Sequence, residues 1–123
     1  MNTVLWVIQI VLAVAFAVAG FGKLTQPREK LQQRMDWVED FPDRTIKLIG
    51  AVEVLGAVGL VLPAATGILP WLTPLAAAGL AVVMLLAAAT HLRRREYPMI
   101  VVNLVLFALS AFVAWQRFGP EAF

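Results

Sequence analysis

The sequence predicts an all-α fold: an integral-membrane four-helix bundle with a short amphipathic interfacial helix between spans one and two. Three observations predict it. Apolar residues make up 61% of the 123 positions, well above the roughly 45–50% of soluble domains. Four runs carry little or no charge, and each approaches or reaches the about 20 residues that cross a bilayer core. The basic residues gather in two connections instead of being scattered over a surface.

The elements follow in chain order. Thr3–Gly22 is uncharged and forms the first span. Ala17-Val-Ala19 resembles a signal-peptidase site, but no basic residue precedes the apolar run, so the expectation is a retained span. Lys23–Arg44 is the one long polar stretch. Leu31, Met35, Val38 and Phe41 recur in it at helical spacing among Glu, Lys, Gln, Arg and Asp, with Pro27 suited to a first turn and Pro42 to a stop. This pattern predicts a helix lying on the membrane surface. Thr45–Leu62 is the second span, and Pro63–Pro70 reads as the tight turn after it. Trp71–His91 is the third span, and Pro98–Gln116 the fourth. The short later connections make spans two and three, then three and four, antiparallel neighbours. Small residues such as Ala13, Ala17, Gly50, Gly56 and Gly59 let helix backbones approach closely. The whole chain, residues 1–123, reads as one transmembrane domain.

Charge orients the bundle. Lys23, Arg28, Lys30, Arg34, Arg44 and Lys47 lie in or beside the first connection, and Arg93, Arg94 and Arg95 in the third. The positive-inside rule places both connections in the cytoplasm and both termini outside, and the expected location is the plasma (inner) membrane. Trp6, Trp71 and Trp115 then share the outer interface, with Trp37 and Tyr97 at the inner one.

Composition excludes several function classes. No cysteine is present, which removes thiol redox chemistry, thiolate metal sites and iron–sulfur ligation. A single histidine rules out a multi-histidine metal site within one chain, so no metal is expected. No nucleophile–base pair or nucleotide loop is legible, so an autonomous enzyme is not expected, although a subunit role in a membrane oxidoreductase complex fits. Nothing resembles a nucleic-acid-binding module.

The candidate site is a polar constellation. Glu53 lies within the second span, roughly 12 Å from its start at 1.5 Å per residue. A charge at that depth costs roughly 2.5–3.5 kcal/mol on insertion scales, so it faces a partner, a ligand or the bundle interior. Lys23 ends the first span, Thr90 and His91 end the third, and Asn103 lies roughly 7–8 Å into the fourth. All four spans thus bring a polar group to one half of the membrane. Gln9, Phe16 and Lys23 share heptad spacing, as do Asn103 and Ser110, which places each set on one helix face. Each residue also has a structural reading. Glu53 pairs with Lys23, or anchors a ligand or proton in a cavity. His91 is a boundary residue, or a hydrogen-bond partner for a head group. Asn103 is interhelical glue, or a lining residue. Arg93–Arg95 is first a membrane-orienting signal and second an anionic-lipid site.

These features together resemble the DoxX-like family of small four-span membrane proteins. The resemblance rests on Ala19-Gly20-Phe21-Gly22-Lys23-Leu24, Ile49-Gly50-Ala-Val-Glu53-Val-Leu-Gly56, Gly59-Leu-Val-Leu-Pro63 and Ala88-Ala89-Thr90-His91-Leu92-Arg93, with Asn103 following. It implies a membrane accessory role, since the family takes its name from a membrane subunit of a thiosulfate:quinone oxidoreductase. Other relatives belong to redox or oxidative-stress assemblies, and some resemble membrane-protein chaperones. No thiosulfate site is legible, and no cysteine can carry sulfane sulfur.

The functional expectation is a small accessory protein that holds a quinone or other amphipathic, lipid-like ligand, or serves a membrane redox partner. Lys23, Glu53, His91, Asn103 and Thr90 would line its site. The alternative is a ligand-free scaffold or chaperone-like protein, and a third reading is proton-coupled transport. Partners compatible with the sequence are the bilayer, a membrane or redox protein, and further copies of the chain.

Overall fold

The computed structural model describes residues 1–123, and its regular structure is helical throughout. Helix α1 spans Asn2–Thr25, α2 Arg28–Arg34, α3 Asp43–Thr66, α4 Leu72–Arg93 and α5 Tyr97–Phe118, with a 3₁₀ helix at Asp36–Asp40. The four long helices, α1, α3, α4 and α5, contain 24, 24, 22 and 22 residues. At 1.5 Å per residue they measure about 33–36 Å, enough for a hydrocarbon core of about 30 Å. They overrun the apolar segments because the flanking polar residues continue the same backbone ladder.

The polar connection departs from the expected single helix. It forms α2, breaks at an extended Met35 (φ −135°, ψ 90°), and resumes as the 3₁₀ helix. A continuous helix from Pro27 to Phe41 would extend about 22 Å. The end of α1 and the start of α3 are in contact, since Lys47 Nζ donates to the carbonyls of Lys23 (2.9 Å) and Gln26 (3.2 Å). The connection must therefore fold back on itself. Its apolar residues still converge: Leu31, Val38 and Ile46 are fully buried, with Met35, Trp37 and Phe41 packed around them.

The turn after α3 also begins later than expected. Pro63 lies inside α3, which continues to Thr66 and ends on Gly67 in the left-handed conformation (φ 71°, ψ 7°). Proline has no N–H, so the carbonyl of Gly59 loses its normal helical donor. The Thr73 hydroxyl at the start of α4 donates to that carbonyl at 2.9 Å. A membrane helix tolerates proline when a neighbour satisfies the freed group.

Packing follows the order α1, α3, α4, α5, with only a thin seam between α5 and α1. Consecutive spans α3–α4 and α4–α5 are neighbours, as their short connections require. The core between them is built from Leu5, Leu12, Phe16, Leu60, Leu80, Met84 and Val113. Small residues set the α3–α4 spacing: a Cβ added at Gly59 would come within 2.7 Å of Ala76 Cβ. Val7, Val14, Leu55, Leu86 and Val101 face outward and are exposed, the arrangement of a bundle whose solvent is lipid.

Candidate functional site

Lys23 and Glu53 meet because two glycines let their helices touch. Gly20 and Gly50 face each other across the α1–α3 crossing. A Cβ at Gly20 would lie 2.6 Å from the Gly50 carbonyl oxygen, and one at Gly50 would lie 2.8 Å from the Gly20 carbonyl oxygen. Three residues beyond each glycine, nearly on the same helix face, stand Lys23 and Glu53. Lys23 Nζ lies 2.8 Å from Glu53 Oε1, with the side chains 9% and 4% exposed. Oε1 is buried, and Lys23 is its one ion-pair partner. The close approach of the two groups offsets the cost of burying each of them in the bundle.

The surroundings of Lys23 extend this pair to the bundle surface. The Trp37 ring centroid lies 6.0 Å from Lys23 Nζ, at the outer limit of a cation–π contact. Beside them a cleft of about 460 Å³ opens between α1 and the end of α2. Val18, Phe21 and Met35 supply apolar wall, while Lys23, Gln26 and Arg34 supply polar groups. The Arg34 guanidinium donates to the Gln26 side-chain oxygen across its mouth. Val18 and Phe21 are also among the exposed apolar residues, so the cleft is continuous with the lipid-facing surface. A second groove, about 420 Å³ between α3 and α4, is lined entirely by apolar residues and glycine, including Val52, Gly56, Leu75 and Gly79. It offers nothing to orient a head group.

The remaining candidates lie at the same end but in separate contacts. His91 is 5% exposed, and its Nδ1 stands 2.8 Å from Glu96 Oε1. A carboxylate only accepts, so Nδ1 carries the hydrogen. Asn103 is buried, and its Nδ2 donates to Met84 Sδ at 3.7 Å, while Oδ1 has no partner. Thr90 is half-buried, and its hydroxyl returns to the Leu86 carbonyl of its own helix at 3.0 Å. No hydrogen bond or ion pair joins His91, Asn103 or Thr90 to Lys23 or Glu53.

The arginine triplet divides by role. Arg93 and Arg95 are exposed. Arg94 reaches back to the 3₁₀ helix, donating from Nη1 to Asp40 Oδ2 at 2.8 Å and from Nη2 to Glu39 Oε1 at 2.9 Å, with Nε 3.4 Å from Glu96 Oε1. Hydrogen bonding to Asp40, then to Glu39, raises its pKa above the ordinary arginine value, so it stays charged. Sequence reasoning missed Glu96 and this bridge. The available signal was that Glu96 is the single acid in a connection of three arginines.

It also missed a second polar network at the opposite, tryptophan-bearing end. Fully buried Gln9 donates from Nε2 to the Leu60 carbonyl at 2.7 Å and accepts from Arg117 Nε at 2.9 Å. Arg117 is 3% exposed, donates from Nη1 to the Glu121 carbonyl at 3.0 Å, and lies 4.1 Å from the Phe123 ring centroid. The signal was present, since Arg117 continues the heptad spacing of Asn103 and Ser110.

Four long apolar helices around buried polar contacts define a multi-pass membrane protein whose surface is in contact with lipid. The chain belongs to the DoxX-like family, whose model matches residues 7–113. No curated protein and no solved structure gives a significant match.

Proposed function

We propose that this DoxX-like protein is an accessory component of the plasma (inner) membrane that holds the head group of a quinone-like or other amphipathic ligand in the Lys23 cleft. In this reading the basic end faces the cytoplasm, both termini lie outside, and a membrane redox complex is the natural partner. The observation that carries the reading is the shared position of Lys23, which pairs with the buried Glu53 carboxylate and also lines a cleft open to lipid. A ligand carbonyl or phenolate accepts from the ammonium, Glu53 behind it holds the ammonium in place, and an apolar tail follows Val18 and Phe21. Ligand sites need this combination of apolar wall and few placed polar groups. His91 and Asn103 are outside the residues that line the cleft, and in this reading they act through their contacts with Glu96 and Met84.

Organic extraction and mass spectrometry of the protein purified from its membrane test the reading. The expected result is a stoichiometric quinone, isoprenoid or lipid, retained less well by Glu53→Gln and Lys23→Met. Equal retention by both variants would remove the cleft as the site.

A second reading has its own support in the Gly20–Gly50 crossing. There the ion pair locks α1 to α3 in a ligand-free scaffold. It predicts that Glu53→Gln lowers stability while no ligand accompanies the wild-type protein.

A further inference from the structure

Residues 27–42 are built as a cover over the Lys23 end of the bundle. Their apolar side chains close on Ile46 in the first turns of α3, and the Trp37 and Phe41 rings meet at 5.7 Å. Arg28 donates to the Val38 carbonyl at 3.1 Å and so ties α2 to the 3₁₀ helix. Pro27 and Pro42 bound the segment in extended conformation, with ψ of 152° and 153°. Neither can donate a backbone hydrogen bond, so the helical ladder does not run continuously from α1 into the cover or from the cover into α3.

The attachment to the other side of the bundle is of a different kind. It is the Arg94 guanidinium gripping Glu39 and Asp40, whose side chains are 52% and 36% exposed. Ion pairs this open to water are weak and are screened by salt. The cover meanwhile supplies Arg34 and Met35 to one wall of the cleft and places Trp37 over Lys23. Shifting it would widen the cleft and uncover the ammonium.

We infer that residues 27–42 form a lid and that the Arg94–Glu39/Asp40 contact is the latch setting access to the Lys23 cleft. The inference rests on the cleft being the ligand site proposed above, but its test does not require a ligand. The protein has no cysteine, so introduced thiols report without background. Spin labels on Gln33→Cys and Arg93→Cys, both exposed positions outside the latch, give the lid-to-bundle distance. In separate samples, Met35→Cys reports entry of a membrane-impermeant maleimide into the cleft. Arg94→Glu should broaden and lengthen the distance distribution and raise the Met35→Cys labelling rate about three- to tenfold, as expected for replacing attraction by repulsion at a surface pair. Adding Glu39→Arg and Asp40→Arg to Arg94→Glu recreates the latch with reversed charge and should restore both readouts. Unchanged distances overturn the lid. Lengthened distances with unchanged labelling overturn its control of the cleft. A wild-type protein without extractable ligand, showing the full latch response, would sink the proposed function and leave the lid standing.

Discussion

The two ends of the bundle solve the problem of buried polarity in opposite ways. At the tryptophan end, hydrogen bonds join every span: α5 to α1 through Arg117 and Gln9, α1 to α3 through Gln9 and the Leu60 carbonyl, and α4 to α3 through Thr73 and the Gly59 carbonyl. At the basic end the contacts stay within one helix pair or the other: Lys23 with Glu53, and Lys47 with the Lys23 and Gln26 carbonyls, between α1 and α3; Asn103 with Met84 across α4–α5; and His91 with Glu96 beside the α4–α5 turn. The bridge across the halves at that end is Arg94, and it runs through the exposed connection. Hydrogen bonds to backbone carbonyls inside a dry bundle have no water to exchange with, whereas exposed ion pairs do. The two halves are therefore joined by buried hydrogen bonds at one end and by a partly exposed ion pair at the other.

The comparison breaks most sharply at the ion pair. Lys23→Met leaves the Glu53 carboxylate buried without its counter-ion and should cost about 3–5 kcal/mol. Denaturation in mild detergent measures this, and the double variant Lys23→Met/Glu53→Leu should recover most of the loss. Failure of the double variant to recover would mean that the ammonium serves more than the carboxylate. Next, Gly20→Ala drives a methyl group against the Gly50 carbonyl and should cost about 1–3 kcal/mol by overpacking. A disulfide-trapping scan along α1–α3 should show the crossing moved apart, and an unchanged pattern would contradict the close approach.

At the other end, Gln9→Leu removes the donor to Leu60 and the acceptor of Arg117 together. It should cost about 1–3 kcal/mol, the penalty for leaving a buried donor unpaired. Hydrogen exchange should quicken in α1, α3 and α5 alike, and a response confined to α1 would show that the network is not shared. Thr73→Val keeps the shape but orphans the Gly59 carbonyl. The expected loss is about 0.6 kcal/mol, typical of side-chain hydrogen bonds between membrane helices, read as faster exchange near Pro63. The smallest effect separates the ends without a mutation. Raising salt from 0.01 M to 1 M shortens the Debye length from about 30 Å to about 3 Å. Amides of residues 28–40 should exchange faster, while those around Gln9 and Thr73 stay unchanged. Equal acceleration at both ends would dissolve the distinction.

Particular residues show how far the sequence could be read. The heptad Gln9, Phe16, Lys23 placed all three in the interior, and all three are buried. Charge and depth together marked Lys23 and Glu53 as partners, and they are an ion pair. Thr90 could not be resolved this way, because a threonine at a helix end satisfies itself on its own backbone as readily as on a neighbour. Arg94 was indistinguishable from Arg93 and Arg95 until the turn at Arg95 (φ 60°) set their directions. The short helix between the first two spans is present as α2, but its break at Met35 was not legible, because periodicity records which side chains go inward and not whether the chain must return to its starting point.

By itself the sequence determined the number of long apolar helices and the inward placement of Gln9, Lys23, Glu53, His91 and Asn103. These follow from hydropathy and helical period, which are local properties of the chain. The tertiary structure alone decided which polar groups meet. Gln9 and Arg117 are separated by 108 positions, and Arg94 reaches Asp40 across 54. Such contacts depend on how each helix is rotated and how closely glycines let neighbours cross, and those quantities emerge only when the helices pack.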